Sequence, residues 1–139
     1  MKTLLLIFSL VLTMGSATAA DTKSFKPMGV KELASALAST KSTKSSTVAV
    51  YDANNDDTRK NLGIIPGATL LTSSKDYDPT KVLPASKNTK LVFYCANQQC
   101  TASHTAAEKA AKAGYSDVNV LSDGIMGWKK AGQPIAKIN

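Results

Sequence analysis

Leu91-Val92-Phe93-Tyr94-Cys95-Ala96-Asn97-Gln98-Gln99-Cys100-Thr101 is the stretch on which the fold turns. Its first four residues are apolar without interruption, the pattern of a strand buried on both faces of a sheet. From Thr101 to Ala113 the chain is alanine-rich and helical, and Gly114 stands at C′, where a left-handed residue ends a helix. A strand that passes through a six-residue loop into a helix is part of a β-α-β unit, and such units build parallel sheets. In open sheets of this kind reactive groups gather beyond the carboxyl ends of strands. Cys95 is the first residue beyond such an end.

The same alternation recurs on either side. Val30, Leu33, Ala34, Leu37 and Ala38 fall at i, i+3, i+4, i+7 and i+8 and predict an amphipathic helix, with a polar loop from Ser39 to Ser46 after it. Val48 to Tyr51 predicts a strand ending at Asp52. Asn54 to Gly63 is polar and reads as turns, and Ile64-Ile65-Pro66-Gly67 is a tight connection into a second apolar run, Ala68 to Leu71. Asp78 ahead of Pro79 predicts a short capped helix that stops before Pro84. Val118 to Leu121 predicts another strand, and Asp123 to Ala131, with Trp128, a last helix ended by Gly132 and Pro134. Four short strands between helices predict an α/β fold: one domain, a mostly parallel sheet flanked by helices on both sides.

The first twenty residues stand apart from that domain. Lys2, the apolar run Leu4 to Met14 and the small residues Gly15 to Ala20, with Ala17-Thr18-Ala19 as a cleavage pattern, read as a signal peptide. The expected division is a leader over 1–20 and a folded domain over 21–139. The expected destination is the periplasm or the outside of the cell. The apolar run is too short to span a bilayer, so no stable membrane insertion is expected after cleavage.

Of 139 residues, 17 are Lys or Arg and 10 are Asp or Glu, a net charge of +7. The cations are scattered, no basic stripe forms, and aromatic residues make up only 6% of the chain, which speaks against nucleic acid as a partner. Two cysteines do not make a disulfide scaffold. A packed core must therefore hold the fold, and a monomer is expected.

The loop after Cys95 must curl between the strand end and the helix start, and its backbone N–H groups with the helix dipole favour a thiolate there. The plain alternative is a small apolar cysteine packed at a strand end. Asp52 ends a neighbouring strand, where it either supports the site or caps the turn over Ala53-Asn54. His104 follows Cys100 by one helical turn. The resulting C-x4-C-x3-H spacing leaves a fourth ligand position open, so no metal is expected.

The mature chain resembles the rhodanese-like family. Val48-Ala49-Val50-Tyr51-Asp52 followed by Gly63-Ile64-Ile65-Pro66-Gly67-Ala68 is similar to the family's strand and its G-H-I-P-G-A signature. Phe93-Tyr94-Cys95 with its loop looks like the active-site cradle. Leu121 to Pro134 is similar to a closing L-x-G-G-x-x-x-W-x-x-A-G-x-P. The resemblance implies a single rhodanese-like domain in which Cys95 takes sulfane sulfur as a persulfide. The donor would be a small molecule, thiosulfate, a persulfide or a polysulfide, and the acceptor a thiol. Ala96, Asn97, Gln98, Gln99 and Thr101 would form the substrate loop, and no cofactor is implied.

The chain departs from the family pattern in four ways. Ile64 replaces the signature histidine, the loop has no glycine, and it has no cation to hold an anionic donor. Cys100 stands where relatives often carry arginine, lysine, serine or threonine. With export, Cys95 and Cys100 at opposite ends of one curled loop form a disulfide if their Cα atoms lie within about 7 Å. Cys100 would then resolve a Cys95 persulfide, or lock the loop as a permanent bridge. Three functions stay open: sulfur transfer through Cys95, thiol–disulfide redox chemistry on Cys95 and Cys100, and a catalytically silent binding module.

Overall fold

The strand β4, Lys90–Tyr94, is buried from Leu91 to Tyr94 and lies at the centre of a five-stranded sheet. The computed structural model describes residues 24–42 and 48–138; the expected leader and positions 43–46 of the expected polar loop lie outside them. Along the chain run β1 (Lys26–Met28), α1 (Val30–Ser42), β2 (Val48–Asp52), α2 (Asp56–Leu62) and β3 (Thr69–Leu70). Then follow α3 (Pro79–Val82), β4, α4 (Ala102–Lys112), β5 (Val118–Leu121) and α5 (Gly124–Lys130). All pairings are parallel, in the order β1-β5-β4-β2-β3. The α/β fold with a parallel sheet is the one the sequence predicts. No helix among the described residues is long and apolar enough to cross a membrane.

Side chains alternate along β4 between two cores. Leu91, Phe93 and Cys95 face α4, where they meet Ala106, Ala107 and Ala110, each fully buried, with Tyr77 and Tyr115. Val92 and Tyr94 face the opposite layer, with Leu33 of α1, Ile65, and Ile125 and Trp128 of α5. The alanines of α4 let its axis come close to the sheet, and this sets the helix start beside the end of β4. Gly114, at φ +92°, ends α4 as expected: its N–H bonds Ala111 and that of Tyr115 bonds Ala110.

Three elements differ from the sequence reading. Helix α1 runs on through Ser42, so Ser39 to Ser42 of the expected polar loop are helical, with the Ser39 and Thr40 hydroxyls bonded back to the carbonyls of Ser35 and Ala36. Among the described residues there are five strands, not four, because Lys26–Met28 pairs with β5 through Met28 and Leu121. Pro27 is tolerated there because β1 is an edge strand. The polar stretch after Asn54 is also not all turn: α2 occupies Asp56–Leu62, capped by the Asn55 side chain on the Thr58 N–H at 2.9 Å. Its anchor is Arg59, a buried cation rather than an apolar stripe. Arg59 donates to Asp52 Oδ1 at 3.2 Å and to the carbonyls of Asp52 and Leu71 at 3.0 and 2.7 Å.

Candidate active site

Beyond the carboxyl end of β4 the chain turns sharply at Asn97. Its side-chain oxygen accepts from the Gln99 N–H at 3.1 Å and its carbonyl from the Cys100 N–H at 3.2 Å. Asn97 is thus the residue that curls a loop without glycine, by a turn of its own side chain onto the backbone. The curl brings the Cα atoms of Cys95 and Cys100 to 6.2 Å, and the two sulfurs are joined as a disulfide. Thr101 precedes α4 without a side-chain capping bond.

The two sulfurs sit in different surroundings. Cys95 is 1% exposed and belongs to the core under α4; Cys100 packs against the edge of the same core but is partly exposed, between solvated Gln99 and Thr101. Ser103, buried in the first turn of α4, places its hydroxyl oxygen 3.2 Å from Cys95 Sγ. A disulfide sulfur carries no proton, so the hydroxyl is the donor. The carbonyl oxygen of Cys100 lies at 3.2 Å from the same sulfur. A reduced Cys95 thiol would donate to that carbonyl, and a thiolate would turn to the Ser103 hydroxyl.

The first turn of α5 holds the loop from the other side. The N–H groups of Ile125 and Met126 donate to the carbonyls of Cys95 and Ala96 at 2.8 and 3.0 Å. Gln98 reaches Asp123 with its amide nitrogen at 2.6 Å. Gly124 makes this approach feasible: it sits at φ +60°, and a Cβ there would stand 2.5 Å from the Cys95 carbonyl oxygen. Ser103 is a site residue that the sequence reading did not single out. Asp123 and Gly124 stood in the closing motif, where Gly124 reads as a close backbone approach, but neither was assigned to the site.

The other predicted residues are placed as follows. Ala96 and Asn97 are partly buried, and Gln98, Gln99 and Thr101 are exposed on the loop. Asp52 lies on the sheet face opposite Cys95, fully buried, where it holds Arg59 and accepts the Asn54 N–H at 2.7 Å, the turn-capping alternative. His104 packs its ring on Phe25, centroids 5.1 Å apart, and lines a cavity of about 290 Å³ with Gln98 and Ser122. The loop itself holds no cation. The fold supplies two beside it: Lys31 of α1 and Lys130 of α5 border an open groove with Asn97, Gln98 and Gln99.

The family model for the rhodanese-like domain matches residues 29–131. Among solved structures, a rhodanese-like domain protein from Staphylococcus aureus is 26% identical, with a TM-score of 0.58 over 81% of this chain and 100% of that one. A Rhodopseudomonas palustris protein, described as a possible tyrosine phosphatase, is also 26% identical; its TM-score is 0.63, over 81% of this chain and 86% of that one. The rhodanese-like domain of an Anabaena protein, 21% identical, has a TM-score of 0.62 over 81% of this chain and 79% of that one. A comparison with curated proteins gave no match.

Proposed function

The chain belongs to the rhodanese-like domain family, and from that premise we propose that it transfers sulfane sulfur through a persulfide on Cys95. The observation that supports this reading most is the cysteine at the end of the central strand, with a second cysteine at disulfide distance across a curled loop. In the reduced protein the Cys95 thiolate attacks the outer sulfur of the donor and displaces sulfite from thiosulfate, or a thiolate from a persulfide. The charge on the resulting persulfide is met by the start of α4 and by Ser103. Sulfur leaves by one of two routes. An acceptor thiolate takes the outer sulfur and frees Cys95, or the Cys100 thiolate attacks Cys95 Sγ, expels sulfide and leaves the disulfide.

We further propose a small sulfur donor, a thiol acceptor, a location outside the cytoplasm, a substrate-binding role for the loop residues and a supporting positive charge from His104 beside them. A phosphatase reading, suggested by the Rhodopseudomonas protein's description, has less support here. Phosphoryl transfer needs cations clamped on the equatorial oxygens. The only arginine, Arg59, is buried against Asp52. Thiol–disulfide exchange without sulfane sulfur is the stronger alternative, because the same pair supports it.

Intact mass of the reduced protein after exposure to a polysulfide decides between them. Uptake of one sulfur by wild type and none by Cys95→Ser is expected. Equal uptake by the variant, or none by either, overturns the persulfide and leaves the redox reading.

A further inference from the structure

Thiol–disulfide exchange is an in-line displacement at one sulfur, so the attacking thiolate must approach along the S–S axis from behind the sulfur it strikes. Cys95 is closed to solvent and so poorly placed to receive such an approach. The residue is 1% exposed and lies in the apolar cluster with Phe93 and Ala106, and its sulfur is flanked by the Ser103 hydroxyl and the Cys100 carbonyl at 3.2 Å. Cys100 is partly exposed, with exposed Gln98, Gln99 and Thr101 around it.

We propose that a small-molecule thiol opens the Cys95–Cys100 bond by attack at Cys100, and that Cys95 departs as the leaving thiolate. The bond formed joins the sulfur of the incoming thiol to Cys100 Sγ. The bond broken is Cys95–Cys100, whose electron pair goes to Cys95 Sγ. The hydroxyl of Ser103 and the first turn of α4 receive that charge, and a better-stabilised leaving thiolate departs faster. A second thiolate then attacks the sulfur of the first, forms the external disulfide and releases Cys100 as a thiolate. The pair gains two electrons and two molecules of thiol are oxidised.

This divides the labour between the cysteines. Cys100 meets the reductant, and in the disulfide its sulfur caps Cys95. Once the bond is cut, the Cys95 sulfur is a thiolate able to react with the sulfur donor. Reduction through Cys100 therefore precedes every sulfur-loading event, and oxidised protein is closed to donors.

The test uses the oxidised full-length chain, a limiting amount of glutathione and no sulfur donor. The reaction is stopped in acid, the freed thiol is alkylated after denaturation, and tandem mass spectrometry locates both groups. Glutathione on Cys100 with the alkyl group on Cys95 is expected, in at least tenfold excess over the reverse. Glutathione on Cys95, an even split, or reduction with no glutathione ever found on Cys100 overturns the proposal. So does a chain that keeps two free thiols in oxidising buffer. Failure here leaves the persulfide test on reduced protein intact, so the two readings fall separately.

Discussion

The backbone N–H of Ile125 donates to the carbonyl oxygen of Cys95 at 2.8 Å. Helix α5 thus spends one of its unpaired first-turn donors on the residue that carries the candidate nucleophile. Loop and helix are held as one unit, and Gly124 is the hinge pin between them.

Gly124→Ala is the most damaging single methyl group expected in this chain. It forces a Cβ to within 2.6 Å of the Cys95 and Ala96 backbone and into a left-handed φ. The neighbours are backbone atoms and cannot rotate away. A loss of roughly 2–4 kcal/mol in denaturant unfolding is expected from strain and lost hydrogen bonds together. A variant within about 0.5 kcal/mol of wild type would show that the loop yields to the helix.

Ser103→Ala removes the hydroxyl beside Cys95 and leaves the helix N-terminus in place. The thiolate loses one charge-assisted hydrogen bond, so the reduced Cys95 should alkylate more slowly near neutral pH. The pH profile of iodoacetamide alkylation in a Cys100→Ser background measures this directly. Serine replaced by alanine with no shift in that profile would reduce Ser103 to packing.

Cys100→Arg places a cation on the loop. Thiosulfate turnover should rise severalfold, while turnover of an uncharged organic trisulfide should not. The contrast between donors is the readout, because loss of the disulfide alone would change both. Lys31 and Lys130 already border the groove beside the loop. Lys31→Ala with Lys130→Ala should therefore lower thiosulfate use in the same assay.

Acid should weaken the fold through identifiable carboxylates. Burial pulls Asp117 up, but hydrogen bonds from Asn119 and Lys90 and the charges of Lys90 and Lys26 more than offset this and leave it below its ordinary range. Asp78 is lowered by the hydroxyl and N–H of Thr80. A group lowered on folding stabilises the protein above its unfolded value, about pH 4, and that contribution fades as pH falls through the folded value. Asp117→Asn should therefore melt below wild type at pH 7 and close the gap near pH 3. At the alkaline end the sign reverses. Burial and then Tyr115 push Tyr51 up to about 12, and burial raises Tyr77 and Tyr94 as well. Their neutral forms favour the fold until pH climbs past about 10. Tyrosinate absorbance from these three should then appear together with unfolding and not before it.

The strands β2, β4 and β5 could be read from the sequence because each buries both faces, and α4 and α5 because glycines mark their ends. The strand β1 was not legible: three residues with a proline carry no periodicity, and only pairing with β5 makes them a strand. For α2 the reason is different. Helix periodicity is sought in apolar residues, and this helix is anchored by a buried guanidinium. Asn55, the two aspartates after it and Gly63 were the only local signs. The cysteine loop was legible in position and spacing. Ser103 was not, since a serine in the first turn of a helix is ordinarily solvated and only the depth of α4 against the sheet buries it.

The pairing of β1 with β5 sets the order in which this molecule can be completed. Met28 has no strand beside it until Leu121 exists, and the loop carbonyls of Cys95 and Ala96 wait for Ile125 and Met126. A chain that emerges amino end first therefore carries the cysteine loop on a sheet lacking β1 and β5, without its hold from α5, while the last two elements follow. Both contacts link distant parts of the chain, and such contacts close late and slowly. The thiol loop takes its final hold only from elements that follow it in the chain, α5 above all.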